Sequence, residues 1–230
     1  GDIRMSSTQR YDTKPVSYFS SARQDIEPLL PTSTRHVLEV GCGTGTTLQW
    51  LKQARRCEHA VGVEMFEQAA QAARQHADQV LVGNAEILID HAFEVASFDL
   101  ILCLDVLEHM VDPWAFVAKA QSLLVPGGTF IASLPNVRHL AVLAPLLLQG
   151  RWRYTTDGIL DRTHLRFFTR ESAIALLNSG ALSVTRWQRK ISPLPSKSGL
   201  ANLLTLGLVG DFFASQYLVA AQRIGNGGSE

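Results

Sequence analysis

Residues 36–47 read HVLEVGCGTGTT, and the organisation of the whole chain follows outward from this stretch. His36 to Val40 is a short apolar run rich in β-branched residues, which favours a buried strand. Gly41, Gly43 and Gly45 follow at once as G-x-G-x-G, and a helical pattern opens at Thr46. Glycine lets the backbone turn sharply and lets a ligand approach it closely. The helix beyond presents unpaired N–H groups and the positive end of its dipole. A nicotinamide or flavin fingerprint would be G-x-G-x-x-G, with its third glycine where Thr46 stands. A triphosphate loop would need Gly-Lys-Ser/Thr, which is absent. The turn is therefore read as a ligand cradle of another kind.

Downstream, strands alternate with helices. Ala60 to Val63 reads as a second strand ending at Glu64, Phe66 to Ala77 as a helix, and Gln79 to Val82 as a third strand ending in Gly83-Asn84-Ala85. Phe98 to Leu104 is almost continuously apolar, as a strand buried on both faces requires. Asp112 is the expected N-cap of a helix through Leu124, with Pro113 at its first position. Pro126-Gly127-Gly128 reads as a turn, and Thr129 to Leu134 as a fifth strand. This alternation implies a parallel sheet with right-handed crossovers. The tail differs, with a helix from Thr169 to Asn178 and strands from Leu182 to Arg189 and Gln216 to Ile224. The last two could pair antiparallel at one edge. Between them and the fifth strand lies an insert, Asn136 to Arg166, and connections of that length are usually functional. Residues 1–230 are thus read as one α/β domain, with 136–166 as a lid over the acceptor site.

The chain has 230 residues, 46% of them hydrophobic and 18% charged, so an ordinary globular core is expected. Lysine plus arginine equals aspartate plus glutamate at 21 each, whereas nucleic-acid binders usually carry a basic excess. Cys42, Cys57 and Cys103 fit neither a disulfide framework nor a zinc spacing, and Gly1 to Tyr18 has no apolar signal core. The reading is a cytoplasmic protein with reduced thiols. No apolar run reaches the roughly 20 residues of a membrane helix.

Glu64 follows the glycine loop by about 20 residues, where an acid can accept both hydroxyls of a ribose. Together, VLEVGCGTG, the acid in VGVEM, GNAE, FDLILCLDVLEH and LLVPGGTFIASLPN resemble the successive motifs of class I S-adenosylmethionine-dependent methyltransferases. The resemblance is dense over Val37 to Asn136. It points to the branch of ubiquinone-type O-methyltransferases and enzymes encoded with polysaccharide genes. GILDRTHLRFFT, Gly158 to Thr169, is similar to a stretch found in the second group. The resemblance implies S-adenosylmethionine as cofactor and a Rossmann-like seven-stranded sheet of order 3-2-1-4-5-7-6, strand 7 antiparallel, with helices on both faces. It places Glu39 and the loop residues Gly41, Cys42, Gly43 and Gly45 around the methionine part of the cofactor. Glu64 would hold the ribose, Met65 would pack on the adenine, and Asn84 with Ala85 would border it. The family usually has an aspartate where Asn84 stands. Leu104 and Asp105 would border the methyl-donor end. Relatives with a similar leader use residues such as Tyr18, Phe19 and Arg23 to cover the cofactor, the arginine pairing the methionine carboxylate.

Methyl transfer is an in-line displacement, and a hydroxyl acceptor also needs a base. His164, at the end of the insert, is the first candidate, with Asp161 as its orienter. His109, one turn past Asp105, and Asp105 itself are the others, and His139 has no evident partner. Asp105 and Asn136 could give a metal two oxygen ligands, but no further acids follow Asn136, so no metal is expected. Arg151, Arg153, Arg162, Arg166 and Arg170 crowd into twenty residues against Asp157 and Asp161, which suggests an anionic acceptor. The apolar stretches Leu140 to Leu148 and Leu200 to Phe213 suit a lid, a homodimer contact or a peripheral membrane contact. The reading is O-methylation of a carbohydrate or related polar small molecule. The alternatives are a quinone- or phenol-directed enzyme, favoured by the apolar stretches, and a non-catalytic cofactor-binding regulator.

Overall fold

The computed structural model describes residues 21–192 and 209–225. Tyr18, Phe19 and most of the Leu200 to Phe213 stretch lie outside the described residues. The elements run β1 (His36–Val40), α1 (Thr46–Gln53), β2 (His59–Glu64), α2 (Glu67–Ala73), β3 (Gln79–Val82), α3 (Ala85–Leu88), β4 (Phe98–Leu104) and α4 (Pro113–Leu123). They continue as β5 (Leu124–Pro135), α5 (Leu140–Gln149), α6 (Arg170–Leu177), β6 (Leu182–Lys190) and β7 (Gln216–Arg223). The sheet order is β3-β2-β1-β4-β5-β7-β6. The first five strands pair parallel, and β7 pairs antiparallel with both β5 and β6. The fold expected from the resemblance is the fold observed.

Alternation along the strands sends apolar side chains to two cores. Ile101, Cys103, Phe130, Ala132, Tyr217 and Val219 face α4 and α6. Leu100, Leu102, Leu104, Ile131 and Leu218 face the layer that contains Leu48 and Leu51 of α1 and Ile26 and Leu29 of the leading segment. Both faces of the central strands are therefore dry, which explains the unbroken apolar run in β4. Asp112 caps α4 by accepting from the Ala115 N–H at 3.0 Å.

Two boundaries differ from the sequence reading. Pro126-Gly127-Gly128 does not separate a helix from β5. It is an irregular excursion within that strand, so pairing to β4 jumps from Leu124 to Thr129. Gly127 makes the excursion possible with φ +80°, a value that other residues rarely adopt. The helix expected from Phe66 to Ala77 ends at Ala73.

The insert leaves β5 at Asn136 and returns beside it. The Val137 N–H donates to Phe168 O at 2.9 Å, and Asn136 bridges to Phe168. Asn136 is fully buried, and its amide nitrogen donates to Asp211 O at 2.6 Å and Ala214 O at 2.8 Å. Its amide oxygen accepts from the Arg138 N–H at 2.9 Å. One side chain thus ties the ends of β5, the insert and the turn before β7. Asn136→Ala orphans these backbone groups. It is expected to lower unfolding free energy by roughly 2–3 kcal/mol in urea titration, and a loss within error would remove this tying role.

Candidate active site

Each parallel strand ends at the same edge of the sheet, and the loops there enclose a cavity of about 400 Å³. It is lined by the glycine loop, Glu39, Glu64, Met65, Asn84, Ala85, Leu104, Asp105 and His109. Ligands of open α/β sheets bind outside these carboxyl ends.

The glycine loop holds its shape through β2. The Gly43 N–H donates to Glu64 Oε2 at 2.8 Å, and the Phe66 N–H to Oε1 at 3.0 Å. Gly41, Gly43 and Gly45 all have positive φ, and a Cβ on Gly41 would collide with Val106. Glu39 lies beneath, 3% exposed, and its Oε2 has no hydrogen-bond partner. Burial, only partly offset by Thr47 and Arg23, pushes its carboxyl up to about 8. Burial also raises Glu64. Two buried acids, one with an unsatisfied oxygen, favour a cationic ligand with hydroxyl donors. That chemistry fits S-adenosylmethionine, whose sulfonium and ammonium are positive and whose ribose offers two hydroxyls. Glu39, the loop and Arg23's neighbourhood would border the methionine part, Glu64 the ribose, and Leu104 and Asp105 the methyl end.

A family profile described as a methyltransferase domain matches residues 17–180. The chain belongs to the class I S-adenosylmethionine-dependent methyltransferases. Among curated relatives, the ubiquinone biosynthesis O-methyltransferase of Coxiella burnetii (strain Dugway 5J108-111) is 32% identical over 137 residues, 56% of this chain and 56% of that protein. The enzyme of the same name from Alkalilimnicola ehrlichii is 36% identical over 117 residues, 49% of this chain and 47% of that protein. The chain thus spans about half the length of the curated relatives it matches. A methyltransferase from Archaeoglobus fulgidus shares the fold with a TM-score of 0.61 at 16% identity, over 87% of this chain and 90% of that one. The 1,6-didemethyltoxoflavin-N1-methyltransferase of Burkholderia thailandensis, solved with S-adenosylhomocysteine, gives 0.60 at 15% identity, over 95% and 85%.

Several site residues of this methyltransferase stand differently from their sequence reading. Arg23 lines the cavity, but its guanidinium is already engaged. It donates to Asp25 at 2.9 and 3.0 Å and to Asp105 Oδ2 at 2.5 Å, so pairing with a methionine carboxylate would have to compete with two acids. Asp105 accepts at Oδ1 from Ser133 Oγ at 2.6 Å and from Gln216 Nε2 at 2.7 Å. With both oxygens engaged, Asp105 is poorly placed as a base or a metal ligand, and Asn136 is committed to backbone. Asn84 Oδ1 already accepts from the Glu86 N–H at 2.9 Å, capping α3. The oxygen meant for the adenine is therefore shared with a cap. His139 Nδ1 likewise caps α5 at the Ala141 N–H, 3.1 Å away.

The histidines separate. His109 lines the cavity, and its Nδ1 lies 3.1 Å from Thr163 O. His164 is 8% exposed and opens on a different, shallow depression with Arg153, Tyr154, Arg162 and Leu165. Its Nδ1 lies 2.9 Å from Ile159 O, while Asp161 Oδ1 accepts from the Thr163 N–H and hydroxyl. The two imidazoles meet edge-on at 4.6 Å. A ring nitrogen facing a carbonyl must carry the proton, so in both rings Nε2 is the basic nitrogen. Glu108, 1% exposed, completes this group: neither carboxylate oxygen has a hydrogen-bond partner, and Oε1 lies 4.0 Å from His164 Nε2; burial and Asp105 push its carboxyl well up. Among the described residues, Glu108, His109 and His164 bring three ligand-type atoms within 4.8 Å of one another. The donor set that could share a cation is thus a different one from Asp105 and Asn136. Glu108, Ser133 and Gln216 are the site residues that the sequence reading missed. An acid inside an apolar run was a signal for Glu108; the other two had none.

Of the five arginines of the insert region, Arg153 and Arg162 share the depression with His164, and the other three have partners elsewhere. Arg166 donates to Val111 O and stacks on Trp114, Arg170 pairs with Asp211, and Arg151 pairs with Gln149. Cys42, Cys57 and Cys103 are free and buried, and burial raises each thiol.

Two measurements test the cofactor assignment. A cation beside Glu39 favours its ionised form, so binding S-adenosylmethionine near pH 7 should release protons, and affinity should rise toward pH 8. Calorimetry in buffers of different ionisation enthalpy reads this release, which Glu39→Gln should abolish. Without cofactor the sign for folding is opposite. The folded carboxyl titrates well above the usual carboxylate range, so this group's contribution falls as pH rises toward about 8. Second, Asn84→Asp keeps the cap and adds an acceptor oxygen. It should tighten S-adenosylmethionine up to about tenfold; marked weakening would displace the adenine from this wall.

Proposed function

We infer that this methyltransferase methylates a hydroxyl of a quinone-type or phenolic small molecule. The observation that carries the reading is His109 in the wall of the cofactor cavity, beside Leu104 and Asp105. A phenol needs only modest help to lose its proton, and a neutral imidazole suits that step. The relatives named as ubiquinone biosynthesis O-methyltransferases support the same acceptor class. The carbohydrate expectation loses ground, because none of the five arginines that suggested a charged sugar lines the cofactor cavity; Arg153 and Arg162 open on the separate depression beside His164.

The mechanism assigns each wall a task. S-adenosylmethionine, when bound, supplies an electrophilic methyl on a sulfonium. Leu104 and the Asp105 network border that end of the cavity. His109 Nε2 takes the acceptor's proton, and Thr163 O fixes the ring so that this nitrogen stays basic. The insert, residues 136–166, is the lid of the acceptor site. The Leu165 and Arg166 N–H groups donate to Glu108 O at 2.8 and 3.0 Å, which pins the far end of the lid beside the histidine. Exposed Leu147 and Leu148 on α5 give the lid an apolar outer surface. Among the described residues no helix is long and apolar enough to cross a membrane. A second reading, metal-assisted activation of the hydroxyl, is favoured by the spacing of Glu108, His109 and His164.

Release of S-adenosylhomocysteine should be measured with catechols and with sugars. Turnover of catechols is expected, and His109→Ala should lower kcat by about 10²–10⁴ while cofactor affinity stays. Turnover of sugars alone would sink the phenolic reading. Activity lost on chelation and restored by a divalent cation would replace the proton-transfer route with the metal one.

A further inference from the structure

The far edge of the sheet carries a charged cluster that methyl transfer does not use. Asp211 sits in the turn before β7 and receives three guanidinium groups. Arg189 Nε lies 2.6 Å from its carboxylate, Arg170 Nη1 3.2 Å and Arg138 Nη1 3.5 Å. One carboxylate cannot neutralise three cations, and among the described residues these arginines have no other acidic partner. Burial alone would raise the Asp211 carboxyl, yet Arg189, Arg170 and Arg138 together hold it below its usual range. The cluster therefore keeps a positive excess at any pH where the protein is folded.

The three arginines differ in role. Arg189 makes the shortest contact and is the anchor. Arg170 and Arg138 reach Asp211 at longer range and keep 39% and 40% of their side chains exposed. Aromatic faces fix both outer groups. Arg138 lies 5.1 Å from the centre of Phe212, and Arg170 lies 5.1 Å from the centre of Trp187, which Arg189 also meets at 5.2 Å. Stacking orients a guanidinium plane while leaving its N–H donors available. A planar fork held in this way matches a carboxylate or a phosphate.

Position relates the cluster to the reaction. Asn136 fastens the Asp211 turn to the end of β5. Gln216, at the start of β7, reaches from there to Asp105. Neighbouring strands stand about 4.8 Å apart, so the start of β7, which the Asp211 turn leads into, lies two strands, roughly 10 Å, from the end of β4 across the sheet. The geometry points to an anion subsite at Arg138 and Arg170 that receives a carboxylate or phosphate carried by the methyl acceptor at a distance from the reacting hydroxyl. The position of that hydroxyl rests on the acceptor reading given above; the subsite itself does not.

Caffeate and caffeamide test it, because they differ in charge and scarcely in shape, and the caffeate carboxylate stands well away from the ring hydroxyls. The wild type should favour caffeate by about tenfold or more in kcat/KM. The double variant Arg138→Gln/Arg170→Gln should bring the ratio near one, and Arg138→Lys should keep part of it. An unchanged ratio in the double variant overturns the subsite. A second readout needs no turnover. In protein carrying fluorinated tryptophan, the Trp187 resonance, assigned by its loss in Trp187→Phe, should shift on titration with inorganic phosphate. The shift should vanish in the double variant, whose melting temperature is checked first; Arg138→Gln alone serves if the double variant does not fold. If no catechol turns over but Trp187 responds through the arginines, the phenolic reading falls and the subsite stands. A resonance that stays still, or moves alike in both proteins, removes the subsite whatever the acceptor.

Discussion

Four segments of the chain meet on the carboxylate of Asp105, and one end of the cavity takes its shape from that meeting. Arg23 arrives from the leading segment, Ser133 from β5 and Gln216 from β7, all on a residue just past β4. The Asp105 N–H also donates to Ser133 Oγ at 3.0 Å. Asp105 has φ +60°, a left-handed conformation that a non-glycine residue keeps only when its surroundings hold it there. The bonds supply that hold. They also fix the electrostatics, since the negative charge of Asp105 faces a cation and two neutral donors. This side of the cavity is thus cross-linked and close to charge-balanced, and in the mechanism proposed above proton transfer is left to a neighbouring group.

That group lies where the post-β4 turn meets the insert. Thr163 O and Ile159 O each accept from an imidazole Nδ1; His164 Nε2 then lies 4.0 Å from the buried Glu108 carboxyl, while His109 lines the cavity. The backbone of Glu108 simultaneously holds the insert through its carbonyl. One three-residue turn, Leu107–His109, therefore holds both the end of the insert and the His109 ring. The connection runs through packed rings and backbone hydrogen bonds.

The cofactor half follows a different logic. Glu39 and Glu64 are buried acids whose charge is poorly compensated by the protein alone. A cationic ligand would relieve part of that cost, so the site is built for a positive cofactor rather than a phosphate. This is the same distinction that Thr46 makes in the loop, where a third dinucleotide glycine is missing.

The sequence by itself determined the strand runs, the glycine turn, the Asp112 cap and the acid at the end of β2. Each depends on local rules: side-chain period, positive φ at glycine and capping within three residues. The order of the strands was legible only through the family resemblance, because no local rule sets it. Tertiary structure alone decided the partners. Asp105 meets Arg23, Ser133 and Gln216 across separations of 82, 28 and 111 residues, and Arg189 meets Asp211 across the β6–β7 connection. It also decided that His109, not His164, faces the cofactor cavity, and that Arg153 and Arg162 join His164 at a separate depression. The reason is geometric. A side chain's partner is set by sheet register and by the path of the loops above it, and neither leaves a periodic trace in the chain.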